Sequence, residues 1–242
     1  MKTDHYIFTD KGGRPLNEDR ADWAGSGDRY CFILCDGLGG HGMGDRAAEL
    51  VTAYIKERFL AGEGLEDFAA GALPGAQAAL RSAQAADPRL KGMRTTAVIL
   101  CIEGDRGLAL HIGDSRLYRF RGGKIVSRTR DHSIPQVLCM SGEIEESEIR
   151  SHPDRNKLLR ALGDDSEELR CESSSFDVAE GDAFLLCSDG FWEPVTEIEM
   201  ERTLAEEPKA KKWLAAMVKL AVKNSAGKPM DNFTAIAVRV KR

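Results

Sequence analysis

Three short apolar runs in this 242-residue chain each end at an aspartate or one residue before it. They are residues 31–35, 108–112 and 183–187, which lead to Asp36, Asp114 and Asp189, and a fourth aspartate, Asp231, opens the apolar run 232–240. Short apolar runs bounded by turn residues predict buried strands. A carboxylate at the end of a buried strand is costly to desolvate unless a cation or hydrogen-bond donors compensate it. Four such positions predict convergence on one site that binds hard metal ions.

The overall composition excludes several classes of protein. The net charge of −5 provides no basic field for nucleic acid or an anionic membrane. No run approaches the roughly 18 apolar residues of a membrane span, and the first ten residues lack the apolar core of a signal peptide. The six cysteines form no CxxC pair, and four of them lie inside apolar runs. Free, reduced thiols are therefore predicted, and with them a cytoplasmic location.

Local periodicity predicts both strands and helices. Predicted strands are 6–10, 21–24, 30–35, 95–102, 107–112, 116–120, 124–126, 182–187 and 232–240. Predicted helices are 45–60, 65–86, 196–204 and 208–222, with shorter helical stretches at 133–140 and 145–151. Gly71 and Pro74-Gly75 leave open where the second helix begins.

The order of these elements indicates the fold class. Closely spaced strands with short connections, such as the hairpin turn at Gly122-Gly123, imply antiparallel pairing. Antiparallel strands interleaved with two helical pairs predict an α+β domain in which helices cover the sheets. Residues 131–160 are polar and broken by two prolines, which predicts a surface insertion.

The loop at residues 13–19 contains an arginine beside two acids, just before a strand. The guanidinium of Arg14 has the planar fork that suits a phosphate. Taken alone, the loop is also compatible with an ordinary surface turn that holds an ion pair.

A strand-to-helix junction at residues 36–44 holds five glycines. Such a junction lets the backbone approach a ligand closely and leaves helix amides free. A nucleotide-binding P-loop is disfavoured because the Gly-Lys-Ser/Thr ending is missing and the acid precedes the glycines. Carboxylate and carbonyl oxygens suit Mg²⁺ or Mn²⁺, whereas the Cys/His sets of zinc sites and the acidic loop of an EF-hand are missing.

Taken in order, these motifs resemble the metal-dependent protein serine/threonine phosphatases of the PPM, or type 2C, family, in its small stand-alone bacterial form. The matching segments are Gly13-Arg14 with Asn17-Glu18-Asp19, Cys35 to His41 with Gly44, Thr95 to Val98, Gly113 to Arg116, Asp131-His132-Ser133, Arg160 to Gly163, Ser188-Asp189-Gly190, and Asp231-Asn232 with Thr234. They occur in family order over nearly the whole chain. The resemblance implies one catalytic domain over residues 1–242, built as a four-layer α-β-β-α sandwich. Its two antiparallel sheets are flanked by helix pairs, and residues 132–160 form a flap beside the cleft.

The resemblance also implies roles for individual residues. Two Mn²⁺ or Mg²⁺ ions would be bridged by Asp36, with the carbonyl of Gly37 on the first and Asp189 and Asp231 on the second. A weaker third ion would be held by Asp114 with help from Asp189. Glu18, Asp19 and Asn232 would support the metal shell, and Arg14 would bind the phosphate.

The implied reaction is attack on phosphorus by a water activated between two divalent ions, without a covalent enzyme intermediate. Many eukaryotic members have a histidine directly after the Asp-Gly pair, whereas this chain has Leu38. The proton donor to the leaving oxygen is then a water on the metals or, as the second choice, His41. An alternative role for His41 is structural, in tying the glycine turn.

A second departure from the family pattern is Arg94, which stands where members usually have glycine. It is either a solvated strand start or an added cation near the cleft.

The leading functional hypothesis is a monomeric phosphatase of phosphoserine and phosphothreonine in proteins, which opposes a serine/threonine kinase. The alternatives are a pseudophosphatase that binds phosphoproteins, and a phosphatase of small metabolites.

Overall fold

The computed structural model describes residues 1–39, 43–165 and 169–241. Its strands are β1 Lys2–Asp10, β2 Asp19–Ser26, β3 Arg29–Leu38, β4 Arg94–Thr95, β5 Ala97–Glu103, β6 Arg106–Ile112, β7 Arg116–Arg121, β8 Lys124–Arg128, β9 Glu172–Asp177, β10 Ala183–Cys187 and β11 Phe233–Lys241. Its α-helices are α1 Met43–Leu60, α2 Leu65–Ala86, α3 Ile134–Ser141, α4 Asp189–Trp192, α5 Glu197–Glu206 and α6 Ala210–Asn224. Short 3₁₀-helices cover Pro88–Leu90 and Glu146–Ser151.

The strands form two antiparallel sheets. The first has the order β1-β11-β10-β7-β8, and the second has the order β2-β3-β5-β6-β9, with β4 paired to β3 beside it. In both sheets the central strands are buried on both faces, which explains why their sequences are continuous apolar runs rather than alternating patterns.

Three apolar layers hold the helices and sheets together. One cluster lies between the α1–α2 pair and the second sheet, and includes Ile55, Phe68 and Ile99. Another lies between the α5–α6 pair and the first sheet, and includes Trp213 and Leu185. The third joins the two sheets face to face. The predicted four-layer α-β-β-α sandwich is therefore confirmed.

Several local predictions are confirmed by the backbone. Gly122 and Gly123 both have positive φ, +60° and +80°, as the two-residue hairpin between β7 and β8 requires. Helix α5 starts with a capping box between Thr196 and Glu199, in which each side chain bonds the backbone of the other residue. All six cysteines are free, and Cys31, Cys35, Cys101 and Cys187 are buried.

The structure settles the start of helix α2, which the sequence left open, and adds a strand that was not predicted. Helix α2 spans Leu65–Ala86 as the periodicity predicts and runs through Pro74, because burial of its apolar face outweighs the hydrogen bond that proline removes. Strand β9, which was not predicted, has the sequence Glu-Ser-Ser-Ser-Phe-Asp and pairs with β6 at the edge of the second sheet. An edge strand with five exposed residues of six has no apolar run to reveal it.

The segment 132–160 is anchored to the core more firmly than a surface insertion requires. Ile149 is buried in the cluster under α5 and α6. The guanidinium of Arg150 donates to the carbonyl oxygens of Trp192 and Glu193 at 2.7 and 2.9 Å.

Among the described residues, no helix combines the length and the apolar character that crossing a bilayer requires.

Candidate metal centre

The four aspartates singled out in the sequence line one cavity of about 570 Å³. Asp36 lies near the end of β3 and Asp114 follows β6, both in the second sheet. Asp189 follows β10 and Asp231 precedes β11, both in the first sheet. The cavity therefore lies at one end of the sandwich, where the two sheets meet.

Hydrogen bonds from β4 and the residue after it fix the backbone of Asp36. The hydroxyl of Thr96 accepts from the Asp36 amide at 3.0 Å, and the Thr96 amide donates to the Asp36 carbonyl at 2.9 Å. The hydroxyl of Thr95 donates to the same carbonyl at 2.8 Å. The paired threonines of the sequence thus hold this aspartate at the cavity floor.

Asp114 is held through its neighbours. The indole of Trp192 donates to the Asp114 carbonyl at 3.0 Å. The preceding residue, Gly113, donates its amide to the Nδ1 atom of His132 at 3.1 Å and accepts from the His132 amide at 2.9 Å. The following residue, Ser115, shares a hydrogen bond with the Thr96 hydroxyl at 2.8 Å. Hydrogen bonds on both sides thus fix the backbone at Asp114, which lines the cavity.

Burial and mutual repulsion make these carboxylates hard to ionise without a cation. Burial, and then the neighbouring aspartates, raise the pKa of Asp36 and of Asp114 well above the ordinary value. Burial and the charge of Asp231 raise the pKa of Asp189 to about 6. Burial also raises the pKa of Asp19 to about 7, although hydrogen bonds from Thr234 and Ser188 oppose the shift. The chain gathers negative charge here that it does not itself neutralise.

Within the described part of the chain, two buried oxygen atoms beside the cavity have no hydrogen-bond partner: Oε1 of Glu18 and Oδ1 of Asp19. An orphaned buried acceptor destabilises a fold unless water or another ligand satisfies it. Among the described residues, the cavity lining offers carboxylate, amide and carbonyl oxygens and neither histidine nor cysteine. This donor set fits Mg²⁺ or Mn²⁺ with some of their waters retained.

Gly37 follows Asp36 in a position that only glycine can occupy. A Cβ atom there would lie 2.2 Å from the carbonyl oxygen of Gly44, at the start of α1. The same crowding holds in the opposite direction, since a Cβ atom on Gly44 would lie 2.6 Å from the Gly37 carbonyl carbon. The glycine-rich junction therefore serves the close packing of α1 against β3, which brings backbone groups to the cavity.

Asn232 ties the loop of Arg14 to the cavity. Its side-chain amide donates to the carbonyls of Lys11 and Leu16 at 2.9 and 2.8 Å, and its Oδ1 atom accepts from the Glu18 amide at 2.9 Å. The guanidinium of Arg14 reaches Asp231 at 2.7 Å, and its side chain is 57% exposed. An exposed cation at the mouth of an acidic cavity is available to an incoming anion.

The remaining sequence predictions have different outcomes. Leu38 lines the cavity, so an apolar side chain occupies the position after Gly37. His41 lies outside the described residues. Arg94 does not line the cavity but pairs with Asp164 at 3.2 Å, which agrees with the first of its two interpretations.

Several lining residues were not predicted. Asn156 and Leu158 reach the cavity from the segment 132–160. A neighbouring cavity of about 730 Å³ shares Arg14, Asp189 and Asp231 with the first, and it is also lined by the following residues: Arg150, Arg155, Glu193, Asn224, Ser225 and Lys228. Loops without periodicity bring these residues to the cavities. The charged residues of the segment 132–160 were therefore the available signal in the sequence.

A second group of metal-ligating residue types, His111, His132 and Glu172, lies near Asp114, with ligand atoms within 4.8 Å of one another. The two imidazole rings are stacked at 4.8 Å and 11°, so their in-plane lone pairs run parallel rather than converging. The Nε2 atom of His111 bonds the Arg130 carbonyl at 2.9 Å, and Nδ1 of His132 already accepts from Gly113. Both histidines thus have hydrogen-bond partners within the fold.

Comparisons with known proteins agree with this arrangement. The sequence profile of the family described as protein phosphatase 2C matches residues 12–233. The serine/threonine protein phosphatase PstP of Mycobacterium tuberculosis is 32% identical over 241 residues, which cover 96% of this chain and 44% of the relative. The serine/threonine phosphatase stp of Listeria monocytogenes is 32% identical over 95% of this chain and 93% of its own length. The chain thus spans less than half the length of the mycobacterial relative.

Among solved structures, the catalytic domain of PstP in complex with two manganese ions superposes on the chain with a TM-score of 0.83. The two sequences are 29% identical, and the match covers 99% of each chain.

Proposed function

The chain belongs to the protein phosphatase 2C family, and from that premise we propose that it is a metal-dependent phosphatase of phosphoserine and phosphothreonine in proteins. The observation that carries the proposal is the convergence of Asp36, Asp114, Asp189 and Asp231 on one cavity with Arg14 at its mouth. A binding module would have no use for a buried set of carboxylates that repel one another, so the pseudophosphatase alternative is disfavoured.

We assign the metal ligands by position in the cavity and by the family pattern. Asp36 would bridge two ions, the carbonyl of Gly37 would bind the first, and Asp189 and Asp231 would bind the second. Asp114 would hold a weaker third ion with help from Asp189, which agrees with its burial beside that residue. Either Mn²⁺ or Mg²⁺ suits these oxygen donors, and manganese is the ion in the solved PstP relative.

Glu18 and Asp19 are proposed to orient the waters that such ions retain. Their unpartnered oxygens, Oε1 and Oδ1, are buried beside the cavity and can accept hydrogen bonds from those waters. The hydroxyl of Ser188 donates to the other oxygen of Asp19 at 2.8 Å, which fixes the carboxylate plane. Asn232 supports the same region through the Glu18 amide.

Bound in this cavity, two divalent ions would supply an activated water and would offset charge on the phosphoryl oxygens. Arg14 binds the phosphate by exchanging its contact with Asp231 for the phosphoryl oxygens, which its planar fork accommodates. The clamped backbones of Asp36 and Asp114 keep the acidic groups in place before substrate arrives. The chain's contribution to the rate is therefore positioning and charge compensation rather than covalent chemistry.

The leaving serine or threonine oxygen must acquire a proton. Leu38 cannot provide one, so we propose that a water in the cleft does so, with His41 as the second choice. The apolar Leu38 side chain instead excludes bulk water from one wall of the cavity.

We further propose that residues 1–242 act as one catalytic domain in which the segment 132–160 forms a flap. Asn156 and Leu158 of that segment line the cavity, which supports a role in admitting substrate. We also propose that the protein is a cytoplasmic monomer and that it opposes a serine/threonine kinase. The six free cysteines are compatible with a reducing compartment.

Hydrolysis of an aryl phosphate and of a phosphothreonine peptide tests this function. We expect turnover of both with Mn²⁺, none with EDTA, and a loss of about 10³-fold or more in Asp189→Asn. Asp165→Asn, which changes a 91% exposed carboxylate outside the cavity, is the matched control and should retain full activity. Absence of metal-dependent turnover would refute the proposed enzymatic activity. Turnover of the aryl phosphate but not of the phosphopeptide would favour small phosphorylated metabolites as the substrates.

A further inference from the structure

Helix α6 has an unusual distribution of charge. Four lysines lie within it and a fifth, Lys209, precedes it, while the helix contains no acidic residue, in a chain whose net charge is −5. The three lysines at or before its third residue face the positive end of the helix dipole, where cations are disfavoured. Lysines at 219 and 223 are one turn apart and repel each other. The helix therefore carries charge that weakens it.

Little within the fold compensates this charge. Lys211 lies over the ring of Tyr6, with 5.1 Å between the ammonium and the ring centroid. Within the described ranges, no ion pair or hydrogen bond involves the side chain of Lys212, Lys219 or Lys223, and all three are exposed. Their charges are thus available to a partner.

These three lysines lie along one side of a groove of about 470 Å³ between α5 and α6. At 1.5 Å rise per residue, the line from Lys212 to Lys223 is about 16 Å long, which is the length of about five residues of extended polypeptide. Ala215 and Ala216 leave the space between the first two lysines open. Arg202 adds a cation from α5, and Glu206 and Glu207 are the acidic residues of the lining.

The groove leads toward the metal cleft. Lys223 lines it, and the next two residues, Asn224 and Ser225, line the 730 Å³ cavity that contains Arg14 and Asp189. Lys228 adds another exposed cation to that cavity. A basic path therefore runs along α6 to the phosphate-binding arginine.

We infer that the α5–α6 groove binds an acidic stretch of the phosphoprotein substrate, at a distance in sequence from the phosphorylated residue. This inference rests on the proposed phosphatase function and adds a determinant of substrate choice to it. Carboxylates spaced along an extended substrate segment match the row of lysines. The part of the substrate that carries the phosphorylated residue then reaches the metal cleft through the 730 Å³ cavity. An anionic membrane fits less well, because two glutamates in the lining of the groove would repel a continuous layer of anionic headgroups.

Peptides with one phosphothreonine and a run of five acidic residues test the inference, with neutral spacers of about four, eight and twelve residues. Each is compared with a peptide in which Asn and Gln replace the acids. With Mn²⁺ at low salt, kcat/KM should favour the acidic peptide by about tenfold at the best spacer length, and 0.5 M salt should abolish the preference.

Matched charge reversals locate the effect. Lys219→Glu should reduce the preference about fivefold, and Lys212→Glu with Lys219→Glu should abolish it, while turnover of an aryl phosphate stays unchanged. Lys91→Glu reverses an exposed lysine directly after the 3₁₀-helix Pro88–Leu90 and should leave the preference intact. Equal loss in Lys91→Glu, or no preference in the unaltered protein, would overturn the inference.

Direct binding separates docking from catalysis. A fluorescent acidic peptide without phosphate should bind the unaltered protein and lose affinity in Lys212→Glu with Lys219→Glu. Retained peptide binding without turnover of any phosphoester would refute the proposed function and leave the docking surface standing. If the double variant instead loses only binding to phosphatidylserine vesicles, the groove is a membrane contact and the inference is wrong.

Discussion

The metal cleft and the ion pair between Arg116 and Asp131 both bury charge at the same end of the sheets, but they compensate it in opposite ways. Arg116 makes two hydrogen bonds to Asp131, at 2.8 and 2.7 Å, and a third to the Tyr118 hydroxyl at 2.9 Å. Its guanidinium also stacks 3.4 Å above the ring of Trp192. The chain itself therefore provides partners for this buried guanidinium, both in its plane and above it.

Asp114 lies two residues before Arg116 along the chain and belongs to the metal cleft. The carboxylates of the cleft lack comparable partners among the described residues. These carboxylates face one another, and Arg14 compensates Asp231 from an exposed position. Two acceptor atoms nearby, Oε1 of Glu18 and Oδ1 of Asp19, have no hydrogen-bond partner among the residues that the structure describes. The difference shows that burial of charge alone does not identify a functional site. A structural pair is complete within the chain, whereas a functional site is completed from outside.

The largest expected effect comes from removing one cleft carboxylate. Asp189→Asn keeps the side-chain oxygen that accepts from the Gly190 amide at 2.5 Å but removes a charge. We expect kcat to fall by about 10³-fold or more, while the metal-free protein becomes more stable by about 1–2 kcal/mol because repulsion is relieved. Steady-state kinetics with Mn²⁺ and urea unfolding in EDTA measure the two quantities. Loss of stability in EDTA would contradict the comparison.

The complementary change breaks the ion pair. Arg116→Met leaves Asp131 buried without its cation, and we expect a loss of about 3–5 kcal/mol in the free energy of unfolding. Replacing Asp131 by Asn in the same chain removes the uncompensated charge and should recover part of the loss. Urea unfolding of both variants in EDTA provides the measurement. An equal loss in the single and double variants would mean that packing on Trp192, not charge, is what Arg116 contributes.

Adding metal should affect only one of the two sites. With Mn²⁺ at a hundred times its dissociation constant, we expect the protein to gain about 2.7 kcal/mol of stability from one site. Asp36→Asn should lose most of this gain. In Arg116→Met combined with Asp131→Asn the gain should persist, which thermal unfolding with and without EDTA can check. A gain of the same size in Asp36→Asn would place the metal elsewhere.

Much of this organisation could be predicted from the sequence, and the reason is local. The runs before Asp36 and Asp189 are buried on both faces of their sheets, so each appears in the sequence as a continuous apolar segment that ends in a charge. The glycines at 122 and 123 predict their turn because few other residues adopt two successive positive φ angles.

What could not be predicted depends on contacts between distant segments. Strand β9 is defined by its pairing with β6, and five of its six residues, three of them serines, are exposed. Asn156 and Leu158 reach the cavity because Ile149 and Arg150 anchor their segment under α5. The partner of Arg94, Asp164, lies seventy residues away along the chain. No periodicity or turn signal encodes such pairings.

The smallest effect concerns His132, which bonds the Gly113 amide beside Asp114. Burial, and then the neighbouring His111, lower its pKa to about 4, from 6.5. Because the unfolded chain binds this proton more readily, the contribution of His132 is fully present above pH 6.5 and is lost as the pH falls toward 4. Between pH 7.5 and 5, the unaltered protein should therefore lose about 1–2 kcal/mol more stability than His132→Gln. Urea unfolding in EDTA measures the difference, in which the titration of the cleft carboxylates common to both proteins cancels. A difference that does not change with pH would show that His132 titrates in the fold as it does in the unfolded chain, and that burial beside His111 does not disfavour its charged form.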